Sequence, residues 1–297
     1  MILRFLPLLL LACGASRSPA PGPSLLPYDL DHPSARFTLP DDLVEISALT
    51  DVDSSTVACV QDERGAIYFI SLRDGRKIRE VPFSGPGDME GLTRVGGDYF
   101  ALRSDGLVFR LRERHTAPDR MDVLDTFRID VPNENIEGLG YDERNNRVLV
   151  SPKDFMKGSK EGRDERVLYA FVPDDPAHRV EEVLRLRLSD LVAQATALGV
   201  SVPERTTDKG RVVPALKLRY SSVSVHPMTG QYYLLSAVDR TLLVVDRAGK
   251  LIALEQLDEE LLPKPEGITF LTNGDLVLSS EGKGGAPVIV RYAYLLN

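Results

Sequence analysis

Four glutamates and one serine recur along this chain in one local setting. They are Glu45 in VEISALT, Glu90 in MEGLTRV, Glu137 in IEGLGYD, Ser221 in YSSVSVHP and Glu266 in PEGITFL. In each stretch a small residue and then an alternating apolar run follow the lead position. If the fold brings these leads together, four carboxylates face one narrow space. Crowding then raises some of their pKa values unless cations compensate. Two kinds of compensation are open. A hard cation such as Ca²⁺ takes six to eight oxygens from carboxylates, carbonyls and water, with Glu45, Glu90, Glu137 and Glu266 as its ligands. Alternatively, Arg103, Lys153 and Lys264 pair with individual acids. A purely structural role is also open, in which each glutamate accepts backbone N–H groups from a neighbouring repeat and latches it.

The leads are 45, 47, 84 and 45 residues apart. A repeated period near 45 is the signature of a propeller or solenoid array. Period-2 alternation and turn residues cut each repeat into four strands, the propeller-blade pattern. The last repeat (PEGITFL, DLVLSSE, VIVRYAYLL) lacks its fourth strand, and one spare strand, ARFTLP from Ala35, precedes the first. If that strand completes the last blade, the ring closes and no edge is left open. The expected fold is therefore an all-β, five-bladed propeller with blades starting near 44, 89, 136, 220 and 265. Six blades is the alternative, with a degenerate blade in the double-length gap.

That gap carries insertions at 153–165 and 189–217. The second holds a predicted helix with Ser189 as N-cap, Leu191, Val192, Ala195 and Leu198 as an apolar stripe, and Gly199 as the stop. Both insertions are expected on the face of the lead acids. The ends of the second strands add polar groups to the same face. With Ser221, the ligand-binding candidates there are Asp62, Arg103, Lys153, Asp154 and Glu281.

Composition narrows the function. Lys+Arg of 36 against Asp+Glu of 44 gives a net charge of −8, which argues against a nucleic-acid partner. There is no HExxH, GxSxG or P-loop, and the four histidines are scattered. Residues 1–12 (MILRFLPLLLLA) have a basic start and a short apolar run, as a secretory signal does. Cys13 directly after it resembles the lipidated cysteine of a bacterial lipoprotein, with Gly14 leaning towards the outer membrane. Residues 13–27, rich in Pro, Ser and Gly, read as a tether, and the propeller occupies 28–297. The apolar run is too short to span a bilayer, so the membrane is met through the lipid alone. An ordinary signal peptide would instead give a periplasmic or secreted protein. Cys59 lies among Val57, Ala58 and Val60 and reads as a buried thiol.

The stretches LVEISALT, VQDERGAIYFI, DMEGLTRVGGDYFALRSDG, NENIEGLGYDERNNRVLVSPKD, RVLYAF and PEGITFLTNGDLVLSSEGKGG resemble the SdiA-regulated (NHL-related) propeller family of bacterial envelope proteins. The resemblance implies a five-bladed propeller with a bound calcium ion. The expected function is a monomeric, lipid-anchored, non-enzymatic propeller that binds a small molecule or an envelope protein or glycan on its acidic mouth. PEGITFLTNGDLVLSSEG also resembles the phytase-like esterase propellers. That implies a calcium-dependent phosphoesterase or lactonase with Glu90 or Glu137 as base. A structural scaffold is the third reading.

Overall fold

The strands of this protein sort into four-stranded blades only when the outer strand of the last blade is sought at the other end of the chain. A computed structural model describes residues 25–114, 116, 117, 119–155 and 161–295. Blade one is Ile46–Asp53, Thr56–Gln61, Arg64–Ser71 and Lys77–Pro86, and blade two is Met89–Val95, Asp98–Arg103, Leu107–Glu113 and Met121–Arg128. Blade three is Ile136–Asp142, Arg147–Pro152, Glu165–Phe171 and Val180–Arg187, and blade four is Ser222–Val225, Tyr232–Ser236, Thr241–Val245 and Leu251–Gln256. Blade five has Pro265–Phe270, Leu276–Ser280 and Val288–Tyr292, with Ala35–Thr38 antiparallel to Val288–Tyr292 as its outermost strand. Ala35 stands opposite Arg291 and Thr38 opposite Val288.

The first strands touch in the order one, two, three, four, five and back to one. The ring is therefore five-bladed and closed by the N-terminal strand. The double-length gap is an insertion, not a sixth blade.

Burial follows position in the blade. Middle strands are covered on both faces, so Tyr232–Ser236 (YYLLS) and Thr241–Val245 (TLLVV) are buried throughout. Outer strands are covered on one side only, and Val180–Arg187 (VEEVLRLR) alternates accordingly. Five hydrophobic cores lie between blades. Leu149 and Leu168 of blade three, for example, pack with Tyr232 and Leu234 of blade four. Each such side chain contributes roughly 1.5–3 kcal/mol. Cys59 lies inside one of these cores, and burial pushes its thiol pKa up.

The insertion helix runs Leu188–Leu198 and stops at Gly199, whose φ of 69° only glycine adopts at little cost. Two features differ from expectation. Ser189 is inside the helix rather than its cap, and its hydroxyl donates to Asp164 Oδ2 at 2.6 Å. The apolar stripe is shorter, because Leu191 and Ala195 are buried while Leu198 is exposed. Those two residues join Leu184, Leu186 and Leu254, so the helix packs on the outer strands of blades three and four, not over the channel. A two-stranded hairpin, Glu204–Thr206 with Val212–Pro214, completes the insertion. Cys13 and the signal segment lie outside the described residues. Among the described residues no helix is long and apolar enough to cross a membrane.

Candidate functional site

Strand register decides which residues share a level in the ring. In blade two the pairing steps from Met89–Arg103 to Gly91–Leu102, in blade three from Ile136–Pro152 to Gly138–Ser151, and in blade five from Pro265–Ser280 to Gly267–Ser279. The skipped residues are Glu90, Glu137 and Glu266. Each sits on a β-bulge, which sharpens the local twist and re-aims the side chain. In blade one the step is from Ile46–Gln61 to Ala48–Val60, so the skipped residue is Ser47. In blade four Ser221 directly precedes the Ser222–Leu235 pair. The lead station therefore reads Ser47, Glu90, Glu137, Ser221, Glu266.

Glu45 is the correction. Its carbonyl accepts the Asp62 N–H at 3.4 Å, as Asp88 accepts from Ser104, Asn135 from Lys153 and Lys264 from Glu281. It thus belongs one level out, with Asp88, Asn135 and Lys264. The acid of VEISALT precedes its small residue by two positions, where the glutamate of the other repeats precedes theirs by one.

The glycine after each lead glutamate has a steric cause. A Cβ at Gly138 would lie 2.1 Å from Ser151 Oγ and 3.0 Å from Ser222 Cα of the next blade. At Gly267 it would lie 2.4 Å from Ser279 Oγ and 2.8 Å from Leu49 Cδ2 of blade one. Only glycine lets the first strands close up at these two junctions.

Lysines, not backbone amides, meet two of the glutamates. Lys153 Nζ is 2.6 Å from Glu137 Oε1. Lys264 Nζ is 3.1 Å from Glu266 Oε1 and 2.7 Å from Glu281 Oε1. Glu137 and Glu266 are buried, 4% and 5% exposed. Glu90 forms no ion pair or hydrogen bond among the described residues. Burial, then the charges of Glu137, Asp88 and Glu266, push its pKa up to about 9, with Lys153 pulling the other way. Burial lifts Glu137 to about 7 against Lys153, and Glu266 to about 8 against Lys264. Burial opposes the charge on Lys153, yet Glu137, Glu266 and Glu90 hold its pKa up. The three glutamates and two lysines are therefore one electrostatic unit.

The remaining candidates divide. Asp62 stands beside Glu45, and burial together with the Glu45 charge and hydrogen bond pushes its pKa up to about 7. Asp154 accepts from Asn135 Nδ2 at 2.8 Å and lies 3.4 Å from Arg219, at the rim of the same mouth. Arg103 turns away, held bidentately by Asp105 at 2.9 and 2.8 Å. Ser221 is a latch, because its hydroxyl donates to Pro265 O of blade five at 3.0 Å. Among the described residues, none of Glu90, Glu137 and Glu266 accepts a backbone N–H, so the latch reading holds for the serine alone. The role of Lys264 as a bridge between Glu266 and Glu281 was foreseeable only as a charge near acids.

Carboxylate oxygens are the right donors for calcium. Their arrangement does not fit it, because the ammonium groups of Lys153 and Lys264 already sit against two of the three carboxylates. Among the described residues no group of three or more His, Cys, Asp or Glu is placed to hold a metal ion. What the mouth presents is a carboxyl that stays protonated at neutral pH, two buried carboxyls titrating near it, and two ammonium groups.

Residues 38–154 match the family model described as SdiA-regulated. No curated protein matches the chain significantly. Among solved structures, the glutaminyl cyclase of Myxococcus xanthus is similar in fold at 14% identity and a TM-score of 0.54, over 88% of this chain and 95% of that one. The PQQ-bound aldose sugar dehydrogenase of Streptomyces coelicolor is similar at 12% identity and a TM-score of 0.53, over 88% and 97%. At these identities the likeness is one of propeller fold.

Proposed function

We propose, starting from the SdiA-regulated match of residues 38–154, that this chain is a non-enzymatic binding propeller whose ligand sits over Glu90, Glu137 and Glu266. One observation carries the reading. Glu90 is held in the channel mouth with a pKa near 9 and no partner among the described residues, a costly arrangement with no role in closing the ring. A cluster of perturbed carboxyls with a specific charge partner marks a candidate functional surface. With Glu90 protonated at neutral pH and the two lysines paired with Glu137, Glu266 and Glu281, the ligand is a small molecule that accepts a hydrogen bond from the Glu90 carboxyl or, by taking its proton, binds as a cation.

Calcium is the first probe, and it must compete with the lysines. The measurement is thermal unfolding of the soluble chain in EDTA and then in Ca²⁺ or Mg²⁺, for the wild type, Lys153→Met and Glu90→Gln. A ligand of the native state raises the midpoint by linkage. A calcium-specific rise that grows in Lys153→Met and vanishes in Glu90→Gln supports a cation site. No rise in any variant removes calcium from the reading. If Glu90→Gln also leaves every organic amine and polyol tested unaffected, the mouth is a scaffold feature.

A hydrolase reading has one observation in its favour: Glu137 and Glu266 titrate near 7 and 8, where a general acid or base works best. Turnover of a phosphoester or lactone panel, lost in Glu137→Gln, would establish it. We place the propeller on the bacterial envelope, held by lipid on Cys13. Incorporation of labelled fatty acid that is lost in Cys13→Ser tests that placement.

A further inference from the structure

The same five first strands leave a cavity of about 310 Å³ at the opposite end of the channel. Three residues beyond the lead station, strand register puts Thr50, Thr93, Gly140, Ser224 and Thr269 on one level. The next level outward begins with Asp51 and Arg94. Four hydroxyls, interrupted at Gly140, thus face a space lined further out by Asp51, Arg94, Asp142, Glu143, Arg144 and His226. Of these, Asp142 is paired with Arg147 and Arg247, and Arg144 is held by the Met228 and Thr229 carbonyls.

The hydroxyls of Thr50 and Thr93, with Asp51 and Arg94, are not consumed by the fold. Thr50 and Thr93 are each 4% exposed and line the cavity, yet their hydroxyls have no hydrogen-bond partner among the described residues. Arg94 donates through Nη1 to Val52 O at 2.9 Å, while its Nε is buried without a partner. A buried donor left unmade costs stability. Asp51 lies close enough to Arg94 to feel its charge, but the two form no ion pair among the described residues. Only Thr269 engages Asp51, at 3.3 Å. Two opposite charges that line one cavity without meeting leave room for a molecule that satisfies both.

We propose that this second mouth binds a small polyhydroxylated carboxylate of hexuronate size. Nη2 of Arg94, which has no protein partner among the described residues, offers its N–H groups to a carboxylate, while Nη1 is held by Val52 O and Nε is buried. Asp51 and the hydroxyls of Thr50, Thr93 and Ser224 meet the ring hydroxyls, as donors or acceptors in turn. The volume is at the low end of small-molecule pockets, about 300–1,000 Å³, so one sugar unit fills it. Burial raises the Asp51 pKa, with Thr269 and Arg94 pulling the other way. The site is distinct from the glutamate mouth and independent of the function proposed for it.

The test is calorimetric titration of the full soluble chain with galacturonate, galactose and trigalacturonate. Variants are Arg94→Gln, Thr93→Val and, as a control on the exposed outer strand of blade three, Arg187→Gln, each first checked for an intact urea transition. Galacturonate is expected to bind at least about tenfold tighter than galactose. Arg94→Gln erases that preference, Thr93→Val weakens both sugars, and Arg187→Gln changes neither. Trigalacturonate separates a free sugar acid from a uronate at a chain end, the stronger ligand naming the source. The proposal is overturned if neither sugar gives heat at millimolar concentration, as in a channel filled by water only. It is equally overturned if Arg94→Gln leaves the preference unchanged.

Discussion

Replacing Glu90 by glutamine should make this protein more stable, and more so as the pH rises. An acid whose pKa is higher in the folded than in the unfolded state stabilises the fold while it stays protonated. For Glu90 that contribution is complete below the ordinary value of 4.5, declines as the pH rises and is gone above about 9. At pH 7 the protein is 2.5 pH units above 4.5, and each unit corresponds to about 1.4 kcal/mol. The ceiling on the loss is then about 3.4 kcal/mol. Glu137 and Glu266 share the repulsion, so Glu90 alone accounts for part of it, and a gain of about 2 kcal/mol is expected.

Glutamine keeps the shape of the protonated acid and cannot ionise. The variant should therefore match the wild type near pH 4.5 and exceed it increasingly towards pH 9. A gain of 2 kcal/mol corresponds to roughly 4 °C in Tm for a domain of this size. The assay is urea unfolding of both proteins at pH 5, 7 and 8.5, in EDTA so that no metal contributes. A gain that is equal at all three values would show that Glu90 is not confined in its charged form. A loss at pH 8.5 would show that its carboxylate is a structural partner after all, and the reasoning would fail.

Three further changes probe the frame. Asp142 of blade three is fully buried and accepts from Arg147 at 3.0 Å and from Arg247 of blade four at 2.6 and 2.8 Å. Burial opposes its charge, but these partners hold its pKa below 3.8. Its contribution is thus present above 3.8 and lost as the pH falls through the depressed value. Asp142→Asn should cost about 3 kcal/mol at pH 7, with the difference from wild type shrinking in acid unfolding curves. Gly138→Ala should cost about 1–3 kcal/mol by overpacking, because the neighbouring backbone at Ser222 cannot move aside. Gly97→Ala, with nothing within 4 Å of the added Cβ, should leave the urea midpoint unchanged.

The closed ring was legible in the sequence because a missing strand at one end and a spare strand at the other leave one way to pair every edge. Ala35–Thr38 is where that count requires it. The lead station was legible where the lead residue directly precedes its small residue, as in Glu90–Gly91, Glu137–Gly138, Ser221–Ser222 and Glu266–Gly267. In blade one the motif is written Glu45–Ile46–Ser47–Ala48, and which residue a bulge leaves unpaired cannot be read without the partner strand. Ser189 misled for a related reason. It is a good N-cap by type, but Asp164, distant in sequence, takes its hydroxyl. The second mouth was hidden altogether. Threonines at 50, 93 and 269 are ordinary strand residues, and only the register aligns them on one level.

Ser221 provides the argument about what the glutamates are for. It occupies the lead station of blade four, is 2% exposed, and joins blade four to blade five through one hydroxyl and one carbonyl. A serine is thus enough to latch neighbours at this level. Closure itself rests elsewhere, on Ala35–Thr38 and on the five cores between blades. Three carboxyls at the equivalent positions cost desolvation that the fold recovers only in part, through Lys153 and Lys264. Glu90 recovers least, since it has no such partner among the described residues. A side chain whose removal is expected to stabilise the native state is placed for something the fold does not require. That is the physical content of calling the mouth a binding site, and the pH-dependent gain in Glu90→Gln measures it without knowing the ligand.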